Sequence, residues 1–203
     1  MRIGVLGTGT VGRTLAAKLR ELGHDVVVGS REAGDDAQPF ADAAAHGELV
    51  VNATNGAHAI DALAQAGEEN LRGKVLVDVS NPLDFSRGRP PTLTVCNDDS
   101  LGEQIQRAHP DARVVKTLNT VNAKVMVDPL LVSGEHDIFV SGNDEAAKAK
   151  AAELLVSFGW PREHILDLGD ITTARGPEMY LPLWLRLFGV AGGPNFNIRV
   201  VRG

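Results

Sequence analysis

The sequence predicts an α/β fold built on a doubly wound, mostly parallel sheet, with a small C-terminal lobe. Three observations lead there. Short apolar runs recur along the chain, at 3–6, 25–29, 49–53, 75–79, 114–116, 138–140 and 165–168. Helical patterns separate most of them, the alternation expected of parallel strands joined by crossover helices. The apolar content comes from Val, Leu and Ala, with only 4% aromatics, which suits β-branched strands under Ala-rich helices.

The first run, 3–6, leads into a helix in which Val11, Leu15, Leu19 and Leu22 recur on one face. Gly23 then stands where a helix C-cap glycine belongs. Further on, Asp98, Asp99 and Ser100 are N-cap candidates for a helix reaching about Ala108 and closed by His109-Pro110. Asp144 opens another helix, striped by Ala147, Ala151, Leu154, Leu155 and Phe158. The segment 177–193 reads differently. Met179, Leu181, Leu183, Trp184, Leu185, Leu187 and Phe188 cover nearly every face, interrupted by Pro182 and Arg186. A helix apolar all round is buried, either within its own fold or against a second subunit. In the last run, 196–201, Ile198 and Val200 alternate with Asn197 and Arg199, predicting an outer strand. The expected division is residues 1–118 as the nucleotide-binding unit and 119–203 as a small lobe packed with it.

The 203 residues carry a net charge of −6 and no Lys/Arg cluster longer than two, which argues against a nucleic-acid partner. Cys96 is the only cysteine, so no intrachain disulfide can form and a reducing compartment is expected. No stretch approaches about 20 uninterrupted apolar residues, and the chain opens directly into a strand-like run. A cytoplasmic protein without a membrane partner is the expectation.

Chemistry is concentrated first in the turn Gly7-Thr8-Gly9-Thr10-Val11-Gly12. A lone GxGxxG is weak, but this one follows a strand and opens a helix within a unit of about 30 residues, the context the motif requires. Gly7 permits the tight turn, Gly9 lets the backbone approach a pyrophosphate, and Gly12 lets helix and strand pack closely. The helix N-terminus offers N–H groups to the phosphates. This is a Rossmann-type dinucleotide site. NAD-binding versions usually place an acid at the end of the second strand, about twenty residues on, to accept from the ribose hydroxyl. Here Gly29-Ser30-Arg31 stands in its place. A hydroxyl and a guanidinium suit the 2′-phosphate of NADP(H), which a carboxylate would repel. Glu32 is the dissenting residue, and its long side chain can point into solvent.

Three further loops end strands on the ligand side: Asn52-Ala53-Thr54-Asn55-Gly56, Ser80-Asn81-Pro82 and Thr117-Leu118-Asn119-Thr120-Val121-Asn122. Each such Asn, Ser or Thr serves equally well as a turn cap or as a cleft group. Together they predict a polar, uncharged cleft. The six histidines lack metal-ligand spacing, and only His58 lies near that cleft, where a ligand role and a structural one are equally open. Cys96 reads as a small buried residue rather than a nucleophile. Lys116 and Tyr180 join His58 as possible proton donors, with no pattern singling one out, so no catalytic side chain is assigned.

The chain resembles the NADPH-dependent reductases of the deazaflavin coenzyme F420. The resemblance runs nearly the whole length. It is most specific from Gly7 to Arg31, where Ser30 and Arg31 match the pair that grips the 2′-phosphate, and it continues through His58-Ala59-Ile60-Asp61, the loop ending at Asn122, and Ala174-Arg175 with the apolar helix. It implies a homodimer in which nicotinamide and deazaflavin rings stack and hydride passes directly between them. Where the familiar deazaflavin reductases have a histidine, this chain has Asn119. Asn119-Thr120-Val121 is instead similar to the cytosolic reductase domain of six-transmembrane metalloreductases, which use NADPH with a flavin. The resemblance assigns cofactor contacts to Gly7, Thr8, Gly9, Thr10, Val11, Gly12, Ser30, Arg31, Ala53, Thr54, Asn55, His58, Ser80, Asn81, Pro82, Asn119 and Thr120, and no metal.

The leading expectation is therefore an NADP(H)-dependent oxidoreductase whose small-molecule acceptor is a deazaflavin or flavin. A non-catalytic NADPH-binding sensor or interaction protein is the alternative the glycine turn cannot separate from it. A hydroxyacid or imino-acid reductase is weaker, because those relatives carry a large helical second domain.

Overall fold

A computed structural model describes residues 1–34 and 36–203. It begins with β1 (Arg2–Leu6), α1 (Thr10–Glu21) and β2 (Asp25–Ser30), the predicted opening unit. Gly23 ends α1 at φ +81°, the left-handed conformation that a C-terminal glycine supplies. Then come β3 (Gln38–Pro39), α2 (Phe40–His46), β4 (Leu49–Asn52), α3 (Ala59–Ala66), α4 (Glu68–Leu71) and β5 (Val75–Asp78). A small antiparallel hairpin, β6 (Leu83–Asp84) with β7 (Thr92–Leu93), precedes α5 (Leu101–Ala108) and β8 (Arg113–Thr117). After α6 (Ala123–Val127), the chain forms β9 (Ile138–Gly142), α7 (Glu145–Ser157), β10 (Ile165–Gly169), α8 (Arg175–Met179) and α9 (Leu181–Val190).

One eight-stranded sheet runs in the order β10-β9-β8-β5-β4-β1-β2-β3. Every neighbouring pair is parallel except β8 with β9, so the sheet is mostly parallel, as predicted. Strand β9 needs no crossover, because the connection through α6 stays at the end of the sheet where β8 finishes. The central strands are buried on both faces. Ile3, Val5, Val51, Val77 and Val115 face α1, α6 and α7, whose Leu15, Leu19, Met126, Leu154 and Leu155 cover them. The alternate residues Leu6, Val50, Leu76 and Val114 face α2, α3 and α5 through Phe40, Ala43, Leu63 and Ile105. This period of two, buried on both sides, is what a parallel sheet requires. Each fully buried Leu, Ile or Val contributes roughly 1.5–3 kcal/mol over leaving it in water.

Helix starts follow the predicted caps. Ser100, not Asp98 or Asp99, caps α5: its Oγ accepts from Glu103 N at 3.1 Å. Asp144 caps α7 by accepting from Ala147 N at 2.8 Å. Two sequence expectations fail. Residues 196–201 form no strand. Asp137 N donates to Ile198 O, but the neighbouring bonds run from the Asn197 amide to Asp137 O and from Val200 N to the Asp137 carboxylate. Side chains thus take the places a ladder would need. Cys96 is exposed, because it lies in the loop between β7 and α5 rather than under the sheet.

The apolar 177–193 segment splits at Tyr180 into α8 and α9, with Pro182 in the first turn of α9. Only Leu181 of α9 is buried within the chain. Trp184 stacks on Phe196 of the C-terminal tail, ring centroids 5.2 Å apart. Among the described residues, no helix is long and apolar enough to cross a membrane, and no three His, Cys, Asp or Glu side chains are grouped to hold a metal ion.

Candidate active-site cleft

Connections reverse direction between β1 and β4: from β1 the chain winds outward through β2 and β3, and from β4 it winds the other way through β5 and β8. Ligands on open α/β sheets bind beyond the strand ends at such a point. Two hollows meet there. The first, of about 350 Å³, lies on the β2 side and is lined by Gly7, Thr8, Gly9, Ser30, Arg31 and His58, with Phe40, Asp61 and Gln65 of the helices behind them. The second, of about 550 Å³, lies on the β5 side and is lined by Thr10, Val11, Val79, Ser80, Asn81 and Phe85, among others. Ala53, Thr54 and Asn55 line both, so the two are one cleft crossing the switch point.

The glycine turn is built for close approach. Gly7 has φ +119°, and a Cβ there would lie 2.6 Å from Ala53 O. A Cβ on Gly12 would fall 2.0 Å from Gly7 O, so only glycine lets α1 start this near β1. A Cβ on Gly9 would meet no atom within 4 Å. That open side is where a phosphate would rest. Gly9 is also the N-cap of α1, and no side chain caps the helix, which leaves its first N–H groups facing the cleft.

At the end of β2, the Ser30 hydroxyl donates to Glu32 O, holding the turn. Arg31 is exposed, lines the first hollow and makes no ion pair with any described residue. Glu32 is exposed and lines neither hollow. Ser30 and Arg31 thus stand side by side at the end of β2, on the wall of the first hollow.

The β5 side rests on a network that sequence reasoning missed. Lys116 is fully buried, its Nζ 2.5 Å from Asp78 Oδ2, 2.8 Å from Glu178 Oε1 and 2.9 Å from Ser80 O. Burial alone would lower its pKa, but the two carboxylates outweigh that and hold it above the ordinary lysine value. Asp78 Oδ1 accepts from the Ser80 hydroxyl at 2.7 Å and from the Asn52 amide at 2.8 Å. Asn52 Oδ1 accepts in turn from the Thr54 hydroxyl at 2.7 Å. Glu178, from α8, accepts from Leu101 N and Gly102 N, so it also caps α5. Asp78 and Glu178 lie about a hundred positions apart in an unremarkable strand and helix. Nothing local marks them as partners.

The predicted site residues therefore sort by depth. Gly7, Thr8, Gly9, Thr10, Val11, Ser30, Arg31, Ala53, Thr54, Asn55, His58, Ser80 and Asn81 line the cleft, whereas Gly12 is buried and lines neither hollow. Pro82, Asn119 and Thr120 are buried and line neither hollow. Asn119 instead supports Asn81: its amide donates to Asn81 Oδ1, and Asn81 Nδ2 donates back to Asn119 O, both at 2.9 Å. Leu118, at φ +62°, turns the backbone to allow this. The three proton-donor candidates scatter. His58 sits in the first hollow, Lys116 lies beneath the second, and Tyr180 is half-buried at the α8–α9 junction, where burial raises its pKa.

Residues 2–82, the β1–β5 half with its glycine turn, match the family model of the coenzyme F420-dependent NADP oxidoreductases. Over 211 aligned residues, the chain is 30% identical to the F420-dependent NADP reductase of Methanothermobacter marburgensis, covering 92% of each protein. The chain belongs to the coenzyme F420-dependent NADP oxidoreductase family. That family is one of NADP-dependent oxidoreductases. A crystal structure of a candidate F420-dependent NADP reductase from an Arthrobacter species superposes with a TM-score of 0.94 at 56% identity, over the whole of both chains. Metalloreductase STEAP3 of Rattus norvegicus is 29% identical over 90% of this chain, which spans only 38% of that longer protein.

Proposed function

We propose that the chain passes hydride directly between the nicotinamide of NADP(H) and the ring of a deazaflavin or flavin, coenzyme F420 being the acceptor its family points to. One observation carries this reading: the second hollow has no titratable side chain among its lining residues. Reducing a carbonyl or imine calls for a proton donor at the reacting atom, whereas ring-to-ring transfer needs stacking and alignment. Bound NADPH supplies the hydride. The chain's part is to hold and aim. Ser30 and Arg31 suit the 2′-phosphate, the N-terminus of α1 suits the pyrophosphate, and Asn119, by clamping Asn81, keeps the β5 end of the cleft in place.

On this reading His58→Ala and Tyr180→Phe each lower turnover by less than about ten-fold, and the pH profile of turnover is shallow. Asn119→Ala costs more, up to about a hundred-fold, because misalignment alone does that much damage. Stopped-flow oxidation of NADPH against coenzyme F420, FMN, FAD and ferric chelates tests the reading. Loss of about four orders of magnitude in His58→Ala or Tyr180→Phe, with NADPH binding intact, would sink it. Tight NADPH binding without turnover on any acceptor would favour a non-catalytic sensor.

We further propose that the active form is a homodimer joined through α9. Leu183 is 54% exposed, Phe188 43% and Val190 84%, and an apolar helix face left in water is costly. Light scattering at micromolar protein should give twice the chain mass, and Leu183→Glu should halve it. A monomeric mass for the unmutated protein refutes the dimer.

A further inference from the structure

Two hydroxyls of the second hollow, those of Ser80 and Thr54, have already committed their hydrogens. Asp78 faces the Lys116 ammonium through Oδ2, so it is a carboxylate that only accepts. The Ser80 hydroxyl gives its one hydrogen to Asp78 Oδ1. The Asn52 amide must turn its N–H2 toward that same oxygen, which leaves Asn52 Oδ1 to accept from Thr54. Each hydroxyl then has lone pairs alone to offer the cleft. Ser80 lines only the second hollow, while Thr54 borders both. Of the other polar side chains there, Thr10 is exposed at the start of α1, Asn81 is held by Asn119 through its Oδ1 and one amide hydrogen, and Asn55 stands on the rim shared by the two hollows.

We propose that Ser80, with Thr54 beside it, reads the N–H2 of the nicotinamide carboxamide as an obligate acceptor, an orientation imposed from below by Lys116 through Asp78. This rests on placing the nicotinamide in the second hollow, but not on which acceptor takes the hydride. Ser80 and Thr54 touch the cofactor, and Asp78 is a positioning residue that acts through them. The same wiring explains why the two hydroxyls nearest the β4 and β5 strand ends cannot act as acids: neither has a hydrogen left to give.

Equilibrium binding to the intact protein tests this without turnover. The probes are NADP+, its thionicotinamide analogue, which keeps the N–H2, and its 3-acetylpyridine analogue, which replaces the N–H2 by methyl and keeps the carbonyl. The acetylpyridine analogue should bind about three- to ten-fold more weakly than NADP+, the size of one lost neutral hydrogen bond, while the thionicotinamide analogue stays within about two-fold. Ser80→Ala should bring the acetylpyridine ratio close to one. Asp78→Asn, which can offer Ser80 a donor in place of an acceptor and so let its hydroxyl reverse, should do the same. Equal affinity for NADP+ and the acetylpyridine analogue in the unmutated protein overturns the proposal, whether or not any variant folds. A ratio unchanged by Ser80→Ala overturns the role of Ser80, and one lost in Ser80→Ala but kept in Asp78→Asn overturns the relay. If no flavin or deazaflavin is reduced while the ratio behaves as stated, only the ring-to-ring reading has failed.

Discussion

Lys116→Met should destabilise the protein by about 3–5 kcal/mol, the cost of leaving buried carboxylates without their counter-charge. For a chain of this length that lowers the melting temperature by on the order of 10 °C. The expectation follows from geometry, since Asp78 and Glu178 both meet the same ammonium and each of the three side chains is at most 1% exposed. Removing the positive charge strands two negative ones among side chains closed off from solvent. Replacing all three together, as Lys116→Met with Asp78→Asn and Glu178→Gln, should recover part of the loss, because no charge then remains unpaired. The sign of the pH dependence is also determined. Lys116 has a folded-state pKa raised above its ordinary 10.5, so its contribution is fully present below that value and is lost only as pH rises through the higher one. Thermal melts of the unmutated protein should therefore show no loss from this group across the neutral range. A melting temperature within 2 °C of the unmutated protein for Lys116→Met would show that the ion cluster contributes little.

Arg31→Ala should weaken NADPH binding by about ten- to a hundred-fold, the worth of roughly 1.5–3 kcal/mol for a charge-assisted contact to phosphate. NADH binding should stay nearly unchanged, because it lacks the 2′-phosphate. Arg31 lines the first hollow beside Ser30 and has no carboxylate partner among the described residues to divert it. Its exposure places the effect toward the lower end of that range, since solvent screens part of the attraction. Fluorescence titration of both cofactors against both proteins measures this directly. Equal affinity for NADPH and NADH in the unmutated protein would remove the basis for assigning the phosphate to this corner.

What could be read from residues alone was whatever depends on neighbours in the chain. The strand–turn–helix of Gly7 to Gly12 is local chemistry, as are the Gly23 stop, the Ser100 and Asp144 caps and the Ser30-Arg31 corner. Each stood in the structure at or within a few residues of its predicted place. Hydrophobic period likewise located the seven long strands, because a strand buried on both faces has to be apolar. The 196–201 run misled for the complementary reason. Its alternation is that of a strand, but pairing also requires a free edge in register, and Asp137 and Asn197 occupy those positions with side-chain bonds.

By itself, then, the sequence determined the α/β class, the glycine turn between β1 and α1 and the Ser30-Arg31 corner that ends β2, since each depends on residues within about thirty positions of one another. Only the tertiary structure decided how deep each polar residue lies. It took Asn119 out of the lining and made it the support of Asn81, placed His58 in the hollow beside Ser30 and Arg31, and converted Lys116 from a candidate acid into the centre of a buried ion cluster. It also paired Asp78 with Glu178 across a hundred positions of chain, which no spacing rule reaches. The physical reason is burial: whether a lysine donates a proton or anchors a core depends on which carboxylates the fold brings to it and whether water is left to compete.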